Sequence, residues 1–288
     1  MNNLTNLSFI RELLARHDFS FSKGLGQNFL VNPSVCPKIA EMGNAKKGFG
    51  IIEVGTGIGT LTAELAKRAD KVVAVEIDSR LLPVLEETLS DFDNIKVINE
   101  DIMNVDLNKL IEEEFSGMDV AVCANLPYYI TSPIIMYFLE SGAPVKSLTV
   151  MVQKEAAERL CAEVGTRQSG AISAAVRYYG EAKMLFGVSR GSFIPAPNVD
   201  SAVIRIDVEK KYSLSPEDEK FFFKVVKAAF SQRRKTLANS LSSMLSADKK
   251  HIYEALSENN LSENSRVEQL GMESLIAFSL TLKKLISG

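Results

Sequence analysis

The sequence predicts an α/β fold, an open and largely parallel sheet flanked by helices, followed by a smaller all-helical region. Two observations predict it. Short apolar runs that are typical of buried strands alternate with helical patterns through the first 211 of the 288 residues. From Ser215 to Gly288 only the helical pattern remains. We therefore expect a domain boundary near residue 211 and two domains, at 1–211 and 212–288.

The individual elements follow from spacing and from helix-start signals. Apolar runs at 51–54, 71–76, 95–99, 119–123 and 147–153 predict five strands, and runs at 183–189 and 201–208 predict a final strand pair. Apolar residues at helical spacing predict helices at 4–15, 61–68, 154–163 and 171–179. A further helix is predicted at 32–42, with Asn32 as its cap and Pro33 in its first turn.

Composition excludes several classes of protein. The cysteines, Cys36, Cys123 and Cys161, are scattered and odd in number, so we expect no disulfide framework and a reducing cytoplasm. The histidines are His17 and His251, which argues against a histidine zinc site and a Ser-His-Asp triad, and we expect no metal. No apolar run reaches the ~18–20 residues of a membrane span, and the N-terminus lacks the pattern of a signal peptide.

Positive charge is concentrated in one part of the chain. The net charge is −3, but residues 150–250 hold 17 Lys and Arg against 11 Asp and Glu, a net of +6. Within this part, Arg233, Arg234 and Lys235 stand together beside polar side chains. Guanidinium groups match phosphate oxygens, so this cluster is a candidate RNA-phosphate contact. An ordinary solvated helix face explains the same pattern and stays open.

A glycine-rich loop follows the first predicted strand. It reads Gly55-Thr56-Gly57-Ile58-Gly59-Thr60 and leads into a helix. Glycines in such a loop let the backbone approach a ligand closely, so Gly55 and Gly57 are candidate cofactor contacts. A dinucleotide site requires glycine where Thr60 stands, which favours S-adenosylmethionine over NAD. A purely structural turn remains an alternative for the loop alone.

Acidic residues end the next two predicted strands. Glu76 lies 21 residues after Gly55, the distance at which an acid meets ribose hydroxyls. Asp101 is placed to accept a hydrogen bond from an adenine amino group, with Ile77 and Ile102 enclosing the ring. A helix cap or a solvated carboxylate is the alternative for either acid alone.

The fourth strand leads into Asn125-Leu126-Pro127-Tyr128. In an open α/β sheet, reactive groups lie at the carboxyl ends of the strands, which is where this turn stands. Asn125 offers a carbonyl acceptor, and Pro127 stiffens the turn so that the Leu126 carbonyl is a fixed second acceptor. Tyr128 supplies a flat face for a nucleobase. These groups suit the exocyclic amine of a base that becomes methylated.

Two loops are candidate neighbours of this turn. The loop at 21–30 contains two glycines and polar groups, so it is a candidate ligand contact or a plain surface turn. The loop at 191–199 contains two prolines and presents Phe193 as a candidate second stacking ring. Packing of Phe193 in the core is the alternative.

Together these segments resemble the KsgA/Dim-type family of ribosomal RNA adenine N6-dimethyltransferases, and the resemblance covers nearly the whole chain. The segments that carry it are 26–30, 53–59, 125–128, 192–201, 232–236 and 266–270. Thr56 stands where many members have proline, and Asn32 where aspartate is common.

The resemblance implies a Rossmann-like sheet of the class I S-adenosylmethionine-dependent methyltransferases and a helical RNA-binding domain. It implies cofactor contacts at Asn28, Leu30, Gly55, Glu76, Asp101 and Asn125. It implies target-base contacts at Asn125, Leu126, Tyr128 and Phe193. The implied substrate is a pair of adjacent adenosines near the 3′ end of 16S rRNA in the immature 30S subunit, each methylated twice. A monomer with a role in ribosome biogenesis is expected.

Other functions stay open from the sequence. The nearest is the macrolide-resistance branch, which methylates a large-subunit rRNA adenine. The segments at 232–236 and 266–270 favour the small-subunit branch over it. An assembly factor that acts mainly by binding immature subunits is an alternative from another class. A dehydrogenase is disfavoured by Thr60 and by the scarcity of histidine.

Overall fold

The computed structural model describes residues 4–22, 24–245 and 247–287. Lys23, which belongs to the loop predicted to lie near a ligand, is outside the described residues. So are residues 1–3, at the start of the first predicted domain, and residue 288, at the end of the second. The strands are β1 (Phe29–Leu30), β2 (Phe49–Val54), β3 (Lys71–Glu76), β4 (Ile95–Asn99), β5 (Asp119–Asn125), β6 (Val145–Gln153), β7 (Gly180–Val188), β8 (Phe193–Ile194) and β9 (Ser201–Val208). All seven strands predicted from the sequence are confirmed.

Helices separate these strands and then follow them. They are α1 (Leu7–Arg16), α2 (Val35–Met42), α3 (Thr60–Ala66), α4 (Leu82–Thr88), α5 (Leu107–Glu114), α6 (Thr131–Glu140), α7 (Lys154–Leu160), α8 (Ala171–Tyr179), α9 (Pro216–Ser231), α10 (Leu237–Leu245), α11 (Lys249–Glu258) and α12 (Met272–Ser287). The start of α9 matches its sequence signals, because the Ser215 side chain accepts from the Asp218 backbone N–H and Pro216 occupies the first turn.

The main sheet has seven strands in the order β4-β3-β2-β5-β6-β9-β7. Neighbouring strands from β4 to β6 are parallel, and β9 runs antiparallel to β6. The chain moves outward from β2 to β3 and β4 on one side, then returns to place β5 on the other side of β2. This reversal leaves a crevice at the carboxyl ends of β2 and β5, which is where open α/β sheets bind ligands. The predicted α/β fold is confirmed.

The central strands are buried on both faces, which explains their nearly continuous apolar sequences. Within β2, Ile51 and Ile52 point to opposite faces and both are fully buried. One core cluster packs α2 and α3 on Ile51 and its neighbours, and another packs α1 and α4 around Ile58 and Leu85. These clusters hold the loops at the carboxyl edge of the sheet in fixed positions.

A second, two-stranded sheet joins segments that are distant in sequence. Strands β1 and β8 pair antiparallel, with Leu30 opposite Phe193. Nearby, the predicted start of the second helix is wrong, because α2 begins at Val35 rather than beside Asn32. The Asn32 side chain instead forms a local turn by accepting from the Ser34 backbone N–H at 3.1 Å, and its amide nitrogen donates to Ser192 Oγ at 3.1 Å.

The chain divides into two compact units. The first comprises Met1–Ala157 with Ala182–Val208, and the second comprises Glu158–Glu181 with Glu209–Gly288. The second unit therefore takes in α8 as well as α9–α12, whereas the sequence indicated one boundary near residue 211. Inside it, Glu219 accepts hydrogen bonds from the hydroxyls of Tyr178 and Tyr179 at 2.9 and 2.8 Å. Among the described helices, none has the length and apolar character needed to cross a bilayer.

Candidate active site

A cleft opens at the carboxyl edge of β2, β3 and β5. It gathers most of the residues that the sequence singled out. Those that line it are Asn28, Gly55, Gly57, Glu76, Ile77, Asn125, Leu126 and Tyr128. Four of the predicted cofactor and base contacts do not line it, namely Leu30, Asp101, Ile102 and Phe193.

The glycine loop forms one wall of the cleft. Gly55 and Gly57 have positive φ angles of 75° and 59°, which side chains other than glycine adopt only under strain. A Cβ atom at Gly55 would have the Asn125 carbonyl oxygen, at 3.8 Å, as its nearest neighbour, so the space in front of this backbone is open. The loop therefore offers bare main chain to a ligand.

Glu76 lies at the end of β3 with its side chain buried. Its carboxylate accepts from the backbone N–H of Gly57 at 3.0 Å and from that of Asp78 at 2.9 Å. Burial raises the pKa of this carboxyl above its usual value. Each carboxylate oxygen can accept more than one hydrogen bond, so Glu76 is a fixed acceptor with capacity for ligand hydroxyls. Beside it, Ile77 is 50% exposed and presents an apolar surface at the cleft.

The other predicted cofactor contacts stand back from this cleft. Asp101 caps a short 3-10 helix, and its Oδ1 accepts from the Met103 backbone N–H at 2.9 Å. Ile102 and Leu30 are buried, and Leu30 belongs to the core cluster that contains α2 and α3. Their cofactor roles stay predictions.

The end of β5 and the turn after it present two acceptors. The Asn125 side-chain nitrogen donates to the Asn28 carbonyl at 3.2 Å, which leaves Asn125 Oδ1 as the end of the amide that is free to accept. The Leu126 N–H donates to the Met151 carbonyl at 3.2 Å, and the Pro127 carbonyl accepts from the Ile130 N–H at 3.2 Å. Across residues 4–22, 24–245 and 247–287, no donor occupies Asn125 Oδ1 or the Leu126 carbonyl.

Tyr128 stands at the mouth of a second groove. Its hydroxyl hydrogen-bonds Ser201 Oγ at 2.7 Å, and burial raises its pKa, so the phenol is neutral at ordinary pH. The groove continues from Tyr128 along residues 195–198. Phe193 lines neither this groove nor the cleft, because the residue is 5% exposed and packs in the core cluster with Leu30. The ring therefore occupies the core position that was the alternative to stacking.

One network at the cleft was not predicted. Gln27 donates to Asp78 Oδ2 at 2.7 Å and accepts from the Ser22 backbone N–H at 2.8 Å. Asp78 also forms an ion pair with Arg80 at 2.6 Å. These contacts tie the loop before β1 to the end of β3. Gln27 and Asp78 lie 51 residues apart, so no local pattern predicts their contact. The only hint in the sequence is that Asp78 lies close to Glu76.

A buried acid lies behind the glycine loop. Glu53 is 1% exposed and lines a smaller hollow with Cys36 and Gly55. Burial raises the pKa of its carboxyl to about 8. Among the described atoms its Oε2 has no hydrogen-bond partner.

The three predicted RNA-contacting cations lie in the turn between α9 and α10, within the second unit. Arg234 and Lys235 are exposed. Arg233 forms an ion pair with Glu268 at 3.2 Å and donates to the Arg167 carbonyl. Within the described residues, no three His, Cys, Asp or Glu side chains are grouped to hold a metal ion.

Comparison with known sequences identifies relatives along almost all of the chain. The family model for ribosomal RNA adenine dimethylase matches residues 18–284. The ribosomal RNA small subunit methyltransferase A of Alkaliphilus oremlandii is 49% identical over 95% of this chain and 96% of its own length. The protein of the same name from Clostridioides difficile is 46% identical over 100% of this chain and 99% of its own.

Solved structures give the same result. A dimethyladenosine transferase from Plasmodium falciparum superposes with a TM-score of 0.73 at 25% identity, covering 89% of this chain and 98% of its own. The 23S rRNA methyltransferase ErmE superposes with a TM-score of 0.67 at 26% identity, covering 89% and 100%. The resemblance drawn from the sequence motifs is thereby confirmed, and the chain belongs to the ribosomal RNA adenine dimethylase family.

Proposed function

We propose that this enzyme dimethylates N6 of two adjacent adenosines near the 3′ end of 16S rRNA, using S-adenosylmethionine, on small subunits that are still being assembled. The observation that carries the proposal is the pair of free acceptors, Asn125 Oδ1 and the Leu126 carbonyl, at the cleft. The names of the relatives favour the small subunit as the substrate.

The cleft fits the proposed cofactor. Glu76 offers a buried acceptor for ribose hydroxyls, and exposed Ile77 offers an apolar surface for an adenine ring. Gly55 and Gly57 provide open main chain, and Asn28 lines the same cleft. When bound, S-adenosylmethionine supplies an electrophilic methyl group. Asp101, Ile102 and Leu30 complete the proposed set of contacts.

The acceptors at the end of β5 and in the turn after it prepare the nucleophile. The lone pair of an adenine amine is delocalised into the ring and attacks poorly. Asn125 Oδ1 and the Leu126 carbonyl would accept the two amine hydrogens and favour a pyramidal nitrogen. This contribution is positioning and electrostatics rather than removal of a proton by a base. A monomethylated amine retains one hydrogen for one of the two acceptors, which permits a second transfer.

The target base must leave its stack before it reaches the cleft. Half-buried Tyr128, held through its hydroxyl by Ser201, is the proposed stacking surface. Phe193 is the proposed second ring, and this role requires the contact between β1 and β8 to open, because its ring is buried.

The second unit is proposed to bind RNA. Arg234 and Lys235 are exposed and fit a phosphate contact, whereas Arg233 is paired with Glu268 and is assigned a supporting role. We propose that the protein acts in the cytoplasm, as a monomer and without a metal of its own.

Expression in a bacterial strain whose small-subunit rRNA lacks the two dimethyladenosines tests the proposal. Primer extension across the 3′ end of 16S rRNA should stop at two adjacent adenosines, because dimethylation of N6 blocks base pairing. Macrolide resistance of the same cells, with no stop in 16S rRNA, would instead identify the large-subunit branch. An Asn125→Ala variant that restores subunit assembly without methylation would favour the assembly-factor alternative.

A further inference from the structure

Three polar side chains share one face of the main sheet at its carboxyl edge. In the parallel pair of β5 and β6, Asn125 lies opposite Met151, and in the antiparallel pair of β6 and β9, Gln153 lies opposite Ser201. Residues two apart in a strand point to the same side, so Met151 and Gln153 share a face. The side chains of Asn125, Gln153 and Ser201 therefore emerge on the same side of the sheet.

This face opens into the groove beside Tyr128. Gln153 lines the groove together with Tyr128, whose hydroxyl bonds Ser201, the residue opposite Gln153. The groove and the cleft share Gly26, Gln27, Asn28 and Tyr128, so the two spaces adjoin. A base whose amine reached Asn125 while its ring lay on Tyr128 would thus have Gln153 at one of its edges.

The Gln153 amide is available for such a contact. The side chain is half-buried at the end of β6, and throughout the described chain its amide has no hydrogen-bond partner. A ligand that filled the groove would displace water from this half-buried amide, which would then require a partner on the ligand, because leaving a buried polar group unpaired costs free energy. An amide can both donate and accept, which makes it a common reader of base edges.

Adenine presents a matching edge. Its N6 amine is flanked by two ring nitrogens, N1 and N7, and both only accept hydrogen bonds. With the amine held by Asn125 and Leu126, a donor beside it would hold the ring in the plane. Guanine presents a carbonyl in place of the amine and an N–H at N1, so the same set of groups would repel it.

We propose that Gln153 is a specificity-determining residue, whose amide N–H donates to a ring nitrogen that flanks the target amine. The assignment rests on the proposed function and deepens it. It adds recognition of adenine to the role of Asn125 and Leu126 in methyl transfer. It also assigns a ligand to the groove beside Tyr128, namely the flipped base, whose ring lies on Tyr128 and whose edge faces Gln153.

The test pairs a protein change with single-atom changes in the RNA. Gln153→Met keeps the length of the side chain and removes its donors. The substrates are immature small subunits assembled on 16S rRNA with a ligated synthetic 3′ segment, which carries adenine, 1-deazaadenine or 7-deazaadenine at the target positions. The readout is kcat/KM for methyl transfer under matched conditions.

With natural adenine, Gln153→Met should lose roughly 10-fold in kcat/KM, as expected for one buried hydrogen bond to a substrate. On one of the two deaza substrates the wild type should lose a similar factor, and on that substrate the variant should lose nothing further. Additive losses on both deaza substrates, or an unchanged kcat/KM for the variant on natural adenine, would overturn the assignment.

Two controls separate this outcome from others. The thermal midpoint of Gln153→Met and its binding of S-adenosylmethionine should match the wild type, so unfolding does not imitate the effect. If the Met variant does not fold, Gln153→Glu replaces it, and its carboxylate should reject adenine more strongly by facing an acceptor. A wild-type protein that methylates no natural small subunit would contradict the proposed function itself. The deaza comparison tests only the contact between Gln153 and the base.

Discussion

The side-chain nitrogen of Asn125 donates a hydrogen bond of 3.2 Å to the main-chain carbonyl of Asn28. The bond links the end of β5 to the loop before β1, 97 residues away. It also fixes the orientation of the amide, so that Oδ1 is left to accept. The contact between them therefore determines that Asn125 presents an acceptor, and not a donor, to the site.

Replacing Asn125 with alanine removes this acceptor. We expect kcat for methyl transfer to fall by roughly 10²–10³, as when one preorganised group is removed from a site of this kind. Binding of the small subunit should change less than about twofold, since the phosphate contacts remain. Single-turnover transfer and a binding titration measure the two effects. Asn108→Ala, at an exposed asparagine outside the cleft, is the matched control and should retain full activity.

Tyr128 is expected to act through its ring. Base–aromatic stacking contributes about 1–3 kcal/mol, so Tyr128→Ala should slow turnover roughly 5- to 150-fold. Tyr128→Phe keeps the ring and loses only the hydrogen bond to Ser201, so it should stay within about tenfold of the wild type. Equal losses for the two variants would show that the hydroxyl, and not the ring, carries the effect.

Phe193 should contribute to stability. Its ring is buried in the core cluster, so Phe193→Ala should lower the free energy of unfolding by about 3–5 kcal/mol. Tyr129→Ala, at a ring that is 61% exposed, should change it by less than about 0.5 kcal/mol. Denaturant titration compares them. A Phe193→Ala protein with wild-type stability and impaired transfer would place the ring on the base instead of in the core.

Glu53 should make stability depend on pH. Burial raises the pKa of its carboxyl from 4.5 to about 8, so between these values the folded chain keeps a proton that the unfolded chain has released. Its contribution to stability is therefore present below pH 4.5 and is lost as the pH rises towards 8. The free energy of unfolding of the wild type should fall by roughly 3 kcal/mol between pH 5.5 and 8 through this group, and Glu53→Gln should abolish that fall.

Urea titrations at several pH values measure this dependence. Glu113→Gln, at a side chain that is 58% exposed, is the control and should leave the pH profile unchanged. A Glu53→Gln profile that parallels the wild type across this range would contradict the assignment of a protonated, buried Glu53.

The cations after α9 should differ in their effects on RNA binding. The double variant Arg234→Gln and Lys235→Gln should weaken binding to the small subunit several-fold and reduce the salt dependence, by about 0.7–0.9 in slope for each phosphate that is no longer neutralised. Arg233→Gln breaks the ion pair with Glu268, so its main effect should be on the thermal midpoint. An unchanged salt slope in the double variant would exclude Arg234 and Lys235 from phosphate binding.

Features that depend on local pattern were predictable. Strands β2, β3 and β5 appear as apolar runs because parallel strands in the middle of a sheet are covered on both faces. The glycine loop and the turn at 125–128 each come at the end of a strand. Because parallel strands place their carboxyl ends at one edge of the sheet, the topology alone predicts that the two segments meet at one cleft. Asn125, Glu76 and Gly55 were found in this way.

Features that depend on distant contacts were not predictable. The pairing of Leu30 with Phe193 involves two short strands without a periodic signal, and it decides that Phe193 is buried. The Gln27–Asp78 bond and the Arg233–Glu268 ion pair join residues 51 and 35 positions apart. Asn32 has the composition of a helix cap, but its contact with Ser192 places it in a turn before the helix.

Methyl transfer from radiolabelled S-adenosylmethionine to immature small subunits, with large subunits as the control, tests the central claim most directly. The account predicts label in small-subunit rRNA only, recovered as N6,N6-dimethyladenosine when the nucleosides are identified by mass. Label in large-subunit rRNA, or none in either while the cofactor is bound, would contradict it.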